Sequence, residues 1–173
     1  ACYTAPVSAP GPALLDGLVV LDFTRVLAGP YCTRLLADLG ARVIKIERPG
    51  TGDAARSYDR SVKGQSSHFV WVNRSKESLS LDVKHPEAKR ILAALVAKAD
   101  VFVQNLAPGA VDRLGLGAAE LRARHPGLVW CGISGYGPAG PYAEKRAYDL
   151  LVQCETGLLS VTGTPESPSK AGI

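Results

Sequence analysis

The chain has 173 residues, of which 46% are apolar and 21% charged, a composition typical of a folded globular protein and not of a disordered one. Its net charge is only +4, and the Lys and Arg residues are scattered without a basic stripe, so we expect no nucleic-acid partner. No apolar run approaches the roughly 18 residues of a membrane-spanning helix, so we expect no membrane partner either.

The first segment, residues 1–13, is rich in Pro and Ala and carries no charged side chain. It lacks the basic region of a secretory signal and the Arg content of a transit peptide, so we interpret it as a flexible tail. We expect residues 14–173 to belong to a single domain. The four cysteines are widely spaced, which predicts no metal site and favours a reducing compartment, the cytosol or the mitochondrial matrix.

The first predicted elements form a β-α-β unit. Residues 17–23 are apolar and β-branched, as in a buried strand, and Pro30 can occupy the first position of a helix. Residues 42–47 alternate polar and apolar side chains, which predicts a second strand. The apolar stripe of the intervening helix is expected to comprise Leu35, Leu36 and Leu39.

The later elements continue this alternation of strands and helices. In chain order we expect a surface loop over 49–67, a short strand or helical turn over 68–72 and an edge strand over 78–83. A helix should begin at Pro86, with a face of Ile91, Leu92, Leu95 and Val96, and a buried strand over 101–103 should follow it. We then expect short helices over 108–114 and 118–124, a strand over 128–133, a helix over 147–159 and turns from Gly163 onward. This order predicts a doubly wound, mostly parallel α/β sheet.

The turn after the first strand argues against a dinucleotide-binding enzyme. Such enzymes place three glycines there, whereas residues 22–30 contain only Gly29 together with the bulky Val26 and Leu27. Glu47 stands where a ribose-binding acid would, but without the glycines this resemblance is weak. We therefore consider an NAD-linked oxidoreductase a disfavoured alternative.

Other common catalytic motifs are missing from the sequence. There is no Walker A motif, and residues 132–136 do not have the glycine spacing of a nucleophile elbow. His85 and His125 each precede a proline, which indicates local structural roles. His68 lies in an apolar patch, which is more typical of a core histidine than of a catalytic base.

Polar residues follow four predicted strands at the edge where α/β proteins bind their ligands. They are Arg48, Lys84, Asn105 and Ser134. Two cations and an amide at one edge favour a phosphorylated ligand.

Several segments, in order and at matching spacing, resemble the start of class III (CaiB/BaiF-type) CoA transferases. They are residues 21–31, 35–41, 43–50, 73–76, 81–84, 99–105, 108–116, 133–141 and 148–158. The resemblance implies a Rossmann-like α/β fold, coenzyme A as part of an acyl-CoA substrate, a small carboxylic acid as second substrate, and an interlocked homodimer of subunits more than twice this long.

The resemblance also implies which residues contact CoA. Val26, Leu27 and Ala28 would line the adenosine side, and Arg48, Lys84 and Arg113 would face the adenine and phosphates. Leu81, Asn105 and Leu106 would line the same channel, and Arg146 and Tyr148 would lie near the pantetheine and thioester.

The family mechanism uses an aspartate that forms an aspartyl-CoA thioester, and the resemblance places it just beyond Ile173. We therefore expect no catalytic residue in this chain, an incomplete sheet, and no activity from these residues alone. Asp149 is not the equivalent residue. Residues 159–165 resemble members that act on small C4–C5 dicarboxylic acids.

Two further alternatives stay open. The chain could be a naturally truncated, non-catalytic protein that binds CoA or mediates dimerisation. A racemase of the same family is disfavoured, because Tyr148 stands in place of its histidine and Asp149 is followed by Leu150 and Leu151.

Overall fold

The computed structural model describes residues 11–171, whose centre is a parallel five-stranded sheet. The strands are β1 (Val19–Phe23), β2 (Arg42–Glu47), β3 (Glu77–Ser80), β4 (Val101–Gln104) and β5 (Val129–Gly132), in the spatial order β3-β2-β1-β4-β5. All four strand pairs are parallel. The predicted parallel α/β fold is confirmed, and β3 is the edge strand that the sequence predicts.

Helices connect the strands, as a parallel sheet requires. They are α1 (Ala28–Asp38), a 3-10 helix (Ala54–Ser57), α2 (Ser67–Asn73), α3 (Ala88–Val96), α4 (Ala110–Arg113), α5 (Ala118–Arg124), α6 (Asp149–Glu155) and α7 (Leu158–Val161). The ambiguous segment 68–72 is thus helical. After α7 come two short antiparallel strands, β6 (Gly163–Thr164) and β7 (Ser167–Pro168).

Alternate side chains of the central strands enter two separate cores, one on each face of the sheet. Val20, Val43 and Val103 are buried on the face that α1 covers with Leu36 and Ala37. On the opposite face, Leu21 and Phe102 are among the side chains that pack with Leu92 of α3 and Leu121 of α5. Each of these large aliphatic or aromatic side chains contributes about 1.5–3 kcal/mol by burial.

Two charged side chains of β2 are buried: Lys45 is 1% exposed and Glu47 is 6% exposed. Lys45 is covered by the Thr24 carbonyl and by Asp53, and Glu47 by Arg56 and Asp53. Their charges are therefore compensated inside the protein, as described below.

The predicted stripe of α1 is wrong in part. Leu35 and Leu39 are 41% and 45% exposed, and only Leu36 packs on the sheet. The buried side of the helix is instead formed by Gly29, Pro30 and Thr33. The helix is therefore turned about its axis relative to the predicted stripe. Thr33 faces the sheet, and its hydroxyl donates a hydrogen bond to buried Asp22.

Other boundaries differ from the sequence expectation. Pro30 is the third residue of α1 and not the first, and the helix expected over 147–159 is two helices. Gly157 separates them with a φ of 78°, a left-handed conformation that glycine adopts without strain. Most of the predicted tail, residues 1–10, lies outside the described residues. Within residues 11–171, none of the helices has the length and apolar character needed to cross a bilayer.

Candidate ligand cleft at the carboxyl edge of the sheet

A cleft of about 600 Å³ opens at the carboxyl ends of β1, β4 and β5. The strand order reverses between β1 and β4, and such a switch point is where open α/β sheets bind ligands. The volume lies within the range of small-molecule sites. Its lining includes Ala28 after β1, Asn105 and Leu106 after β4, Ser134 after β5, and Arg146, Tyr148 and Asp149 around the start of α6.

The side chain of Asn105 ties the ends of β1 and β4 together beside this cleft. Its Oδ1 accepts a hydrogen bond from the Arg25 N–H at 2.8 Å, and its Nδ2 donates to the Arg25 carbonyl at 2.9 Å. An asparagine amide has two N–H groups, so the bond to Arg25 leaves one of them for a ligand.

Val26, the next residue of this loop, has a left-handed backbone with a φ of 69°. For a β-branched residue this is a strained conformation. Its N–H donates to both carboxylate oxygens of Asp53 at 3.2 Å, and its carbonyl lies 3.1 Å from Nε2 of His68. His68 is half-buried between the rings of Tyr58 and Trp71, so it belongs to a surface aromatic cluster and not to the core.

Buried Lys45 supports the same loop from below. Its ammonium group lies 3.0 Å from Asp53 and donates to the Thr24 carbonyl at 2.7 Å. Both side chains of this ion pair are almost completely buried. A buried charge without its partner is costly, so the pair fixes Asp53 in place beneath the Val26 turn.

Glu47, at the end of β2, joins three neighbours. Its carboxylate accepts two hydrogen bonds from Arg56, one from the Ser78 hydroxyl and one from the Asp53 N–H. Burial alone raises the pKa of Glu47, but these donors outweigh it and lower the pKa to about 2. The Arg56 guanidinium also lies 3.8 Å from the centre of the Phe69 ring.

A second buried ion pair, Asp22 with Lys76, lies under α1. Lys76 Nζ is 3.0 Å from Asp22 and also donates to the Pro30 carbonyl and to Thr33. Burial disfavours the charge of Asp22, but Lys45, Lys76 and the hydroxyls of Thr24 and Thr33 outweigh it and lower its pKa. The pKa of Lys76 is lowered because burial outweighs the attraction of Asp22.

The outer rim of the cleft is held by one acidic side chain. Glu155 of α6 pairs with Lys145 and accepts a hydrogen bond from the Tyr136 hydroxyl at 2.6 Å. The bond to Glu155 raises the pKa of Tyr136. These contacts tie the loop after β5, and with it Arg146, to α6.

Gln153 connects α6 to the last described residue. Its Oε1 accepts from the Ala171 N–H at 2.9 Å and its Nε2 donates to the Ala171 carbonyl at 3.2 Å. The same Nε2 donates to Asp149 at 2.7 Å. Asp149 is the first residue of α6, so it lies before the β6-β7 hairpin.

Comparison with known proteins identifies the family. The family described as CoA-transferase family III matches residues 15–173. The chain belongs to this family. An acetyl-CoA:oxalate CoA-transferase of Acetobacter aceti is 46% identical over 165 residues, which cover 95% of this chain and 42% of the relative. A succinyl-CoA:glutarate CoA-transferase of Mus musculus is 42% identical, covering 92% of this chain and 37% of the relative.

Solved structures of the same family have the same fold. A CaiB/BaiF family protein from Brucella suis superposes with a TM-score of 0.86 at 38% identity, covering 94% of this chain and 44% of that one. A hypothetical protein from Mycobacterium tuberculosis gives a TM-score of 0.83 at 39% identity, covering 91% and 44%. The chain therefore spans about two fifths of the length of the curated relatives it matches.

The cleft of this family III chain collects some of the residues predicted to contact CoA. Ala28, Asn105, Leu106, Arg146 and Tyr148 line it. Val26 and Leu27 belong to the loop that leads into Ala28. Arg48, Leu81, Lys84 and Arg113 do not line it. Leu81 is nevertheless close to the end of β2, because its N–H donates to the Glu47 carbonyl at 2.9 Å.

The residues that hold the loop were not found from the sequence. Lys45 lies in the strand predicted over 42–47, Asp53 in the surface loop predicted over 49–67, and Lys76 in the polar segment before the predicted edge strand, and none of the three stood out there as a site residue. The sequence did contain one indication of this network. Lys45 and Glu47 lie two positions apart in an otherwise largely apolar strand, and charges in such a strand need partners if they are buried. Among residues 11–171 no cluster of three or more His, Cys, Asp or Glu side chains could hold a metal ion.

Proposed function

We propose that this chain is the N-terminal, CoA-binding part of a CoA transferase that moves CoA from an acyl-CoA to a small carboxylic acid. The observation that carries the proposal is the cleft at the strand-order reversal in a chain of CoA-transferase family III. Residues 14–173 would be part of the large Rossmann-like domain of the longer protein.

The lining of the cleft suits the pantetheine arm of CoA. Leu106, Ile133 and Ala143 offer apolar surface, and Asn105 and Ser134 offer amide and hydroxyl groups for the two peptide-like amides of the arm. Arg146 provides a cation. Arg48, Lys84 and Arg113 lie outside the cleft, and we assign them to the adenosine phosphates of a ligand that extends beyond it.

The names of the relatives support a substrate class. Their names give acetyl-CoA, succinyl-CoA and formyl-CoA as donors and oxalate and glutarate as acceptors. Both acceptors are dicarboxylates, which agrees with the resemblance of residues 159–165 to dicarboxylate-specific members. We therefore propose a short-chain acyl-CoA donor and a small dicarboxylic acceptor.

The proposed mechanism uses an aspartate supplied after Ile173 in the longer protein. Its carboxylate attacks the thioester carbonyl, which releases CoA thiolate and leaves a mixed anhydride. The thiolate attacks the aspartyl carbonyl, which gives an aspartyl-CoA thioester and frees the donor acid. The acceptor carboxylate then repeats the two steps in reverse and restores the aspartate.

Binding is tested by calorimetric titration of the full-length protein with CoA and, separately, with NAD. We expect CoA to bind and NAD not to bind. Arg146→Ala should weaken CoA binding by about tenfold, the loss of one charge-assisted contact. Arg122→Ala, an exposed arginine of α5 away from the cleft, is the matched control and should change nothing. Absence of CoA binding would overturn the proposal.

Activity is tested by mass spectrometry of CoA esters formed from succinyl-CoA, acetyl-CoA or formyl-CoA with oxalate or glutarate. Transfer in the full-length protein, together with trapping of an aspartyl-CoA adduct by hydroxylamine, supports the enzyme. CoA binding without transfer to any acid would favour the non-catalytic alternative. The predicted interlocked homodimer is checked by light scattering of the same protein. The compartment, cytosol or mitochondrial matrix, stays a prediction.

A further inference from the structure

We infer that Asp53 and His68 are positioning residues that hold the loop between β1 and α1, residues 24–28, in the conformation that binds CoA. This inference rests on the proposed function, because it concerns the wall of the same cleft. Neither residue lines the cleft itself. They would act only through the backbone of Val26.

The loop needs such support because of Val26. This residue has a φ of 69°, in the left-handed region that β-branched side chains avoid. An isolated loop of this sequence would relax to a negative φ. A strained backbone persists only where its surroundings over-determine it, and such places cluster at functional sites.

The surroundings of Val26 hold both of its backbone polar groups. Asp53, the N-cap of the 3-10 helix, accepts from the Val26 N–H through both oxygens at 3.2 Å. His68 of α2 places Nε2 3.1 Å from the Val26 carbonyl, where a protonated Nε2 donates to it. The two residues lie on separate elements and hold the two peptide units on either side of the Val26 Cα, one through its N–H and the other through its carbonyl.

Asp53 is itself held rigidly. Lys45 Nζ lies 3.0 Å from its carboxylate, the Ala55 N–H donates to it at 3.1 Å, and its own N–H donates to Glu47 at 3.0 Å. His68 is packed between the Tyr58 and Trp71 rings, at centroid distances of 5.4 and 6.0 Å. The Asp53 carboxylate and the His68 ring therefore keep their positions against the strained backbone of Val26.

The held loop determines the shape of the cleft. Two residues after Val26, Ala28 begins α1 and lines the cleft, and Asn105, which grips Arg25, lines it as well. Turning Val26 back to a negative φ would redirect the chain between Arg25, which Asn105 holds, and Ala28. Loss of the hydrogen bonds that Asp53 and His68 make to Val26 is thus expected to weaken CoA binding without removing any residue that touches the ligand.

His68→Phe in the full-length protein is the first test, because it keeps the aromatic packing and leaves the buried Lys45–Asp53 pair intact. Calorimetric titration with CoA should show affinity weakened by roughly fivefold, the loss of one hydrogen bond. The acyl-CoA KM should rise with it while kcat changes little. Asp53→Asn retains one acceptor oxygen but leaves the buried Lys45 charge without its partner, so it should lower the stability of the protein as well as its CoA affinity.

The deciding measurement repeats His68→Phe in a Val26→Gly background. Glycine adopts a positive φ without strain, so the loop no longer needs the hydrogen bonds from Asp53 and His68 to hold its conformation. His68→Phe should then change CoA affinity less than about twofold. The matched background is Ser75→Gly, which relieves a φ of 64° between α2 and β3, away from the cleft. There the roughly fivefold effect of His68→Phe should persist.

The outcomes separate the inference from the proposed function. Wild-type binding with no effect of His68→Phe overturns the inference and leaves the proposed function standing. An equal effect in the Val26 and Val26→Gly backgrounds also overturns it, because His68 would then act by another route. A wild-type protein that does not bind CoA overturns both.

Discussion

Asn105 and Arg25, eighty residues apart, form two hydrogen bonds through the side-chain amide of one and the backbone of the other. They lie just beyond the last pair of the β1–β4 ladder, Phe23 with Gln104. Asn105 therefore extends the pairing of the two central strands by one step, at the point where the chain leaves the sheet to form the cleft. A side chain predicted only to touch the ligand also shapes the site.

Asn105→Asp tests this dual role. An ionised carboxylate cannot donate to the Arg25 carbonyl and places two acceptors together, so we expect the free energy of unfolding to fall by about 1–2 kcal/mol at neutral pH. A protonated carboxyl group regains a donor, so the deficit should shrink below about pH 4. Urea unfolding at pH 7 and at about pH 3 measures both. A deficit independent of pH would contradict the donor argument.

Glu47 predicts a pH dependence of stability. Its pKa falls from an ordinary value of 4.5 to about 2 in the folded protein. A depressed pKa stabilises the fold above the unfolded-state value, and this stabilisation is lost as the pH falls from about 4.5 through 2. The shift corresponds to about 3 kcal/mol at neutral pH and about 1 kcal/mol at pH 3.

The measurement compares denaturant unfolding of wild type and Glu47→Gln at pH 7 and pH 3. The stability difference between the two proteins should narrow by about 2 kcal/mol at the lower pH. Glu77→Gln is the control, since Glu77 pairs with Arg42 on the exposed surface and contributes little. A constant difference for Glu47→Gln would mean that its carboxylate titrates normally in the folded state.

The buried pair of Asp22 and Lys76 predicts strong coupling between two substitutions. Lys76→Met removes a partner of a fully buried carboxylate and should destabilise the protein by about 3–5 kcal/mol. Asp22→Asn added to Lys76→Met removes the stranded charge and should recover part of the loss. Lys98→Met, at an exposed lysine, should have a negligible effect in the same urea titrations. Additive losses would show that the two charges do not interact.

The sequence predicted the order of strands and helices well, because apolar periodicity directly reflects which faces a sheet and its helices bury. It also placed Asn105 and Ser134 at the carboxyl edge, since that edge follows from strand direction. It did not predict the partners of Lys45 or the hydrogen bonds from Asp53 and His68 to the backbone of Val26. Those depend on which distant loops lie beneath β1, and a loop of this kind leaves no periodic signal.

Gly29 shows a different use of a glycine in the first β-α turn. A Cβ at this position would lie 2.2 Å from Cβ of Thr24, so the glycine allows α1 to pack closely on the end of β1. Gly29→Ala should destabilise the protein by about 1–3 kcal/mol despite the better helix propensity of alanine. Gly127→Ala, with open space around it, is the control and should be close to neutral. Equal melting temperatures for both variants would contradict the close-packing argument.

Gln153 predicts how the segment after the hairpin is held. Its amide pairs with both backbone groups of Ala171, in the same way that Asn105 pairs with Arg25, and it is buried. Gln153→Ala removes both bonds, so amide hydrogen exchange at Ala171 should accelerate by about tenfold or more while the strands of the sheet keep their protection. Cys154→Ala, the exposed neighbouring position, should leave the exchange at Ala171 unchanged. If Gln153→Ala also leaves it unchanged, packing and not the amide holds this segment against α6; if exchange rises throughout the sheet, Gln153 supports the whole fold instead of one segment.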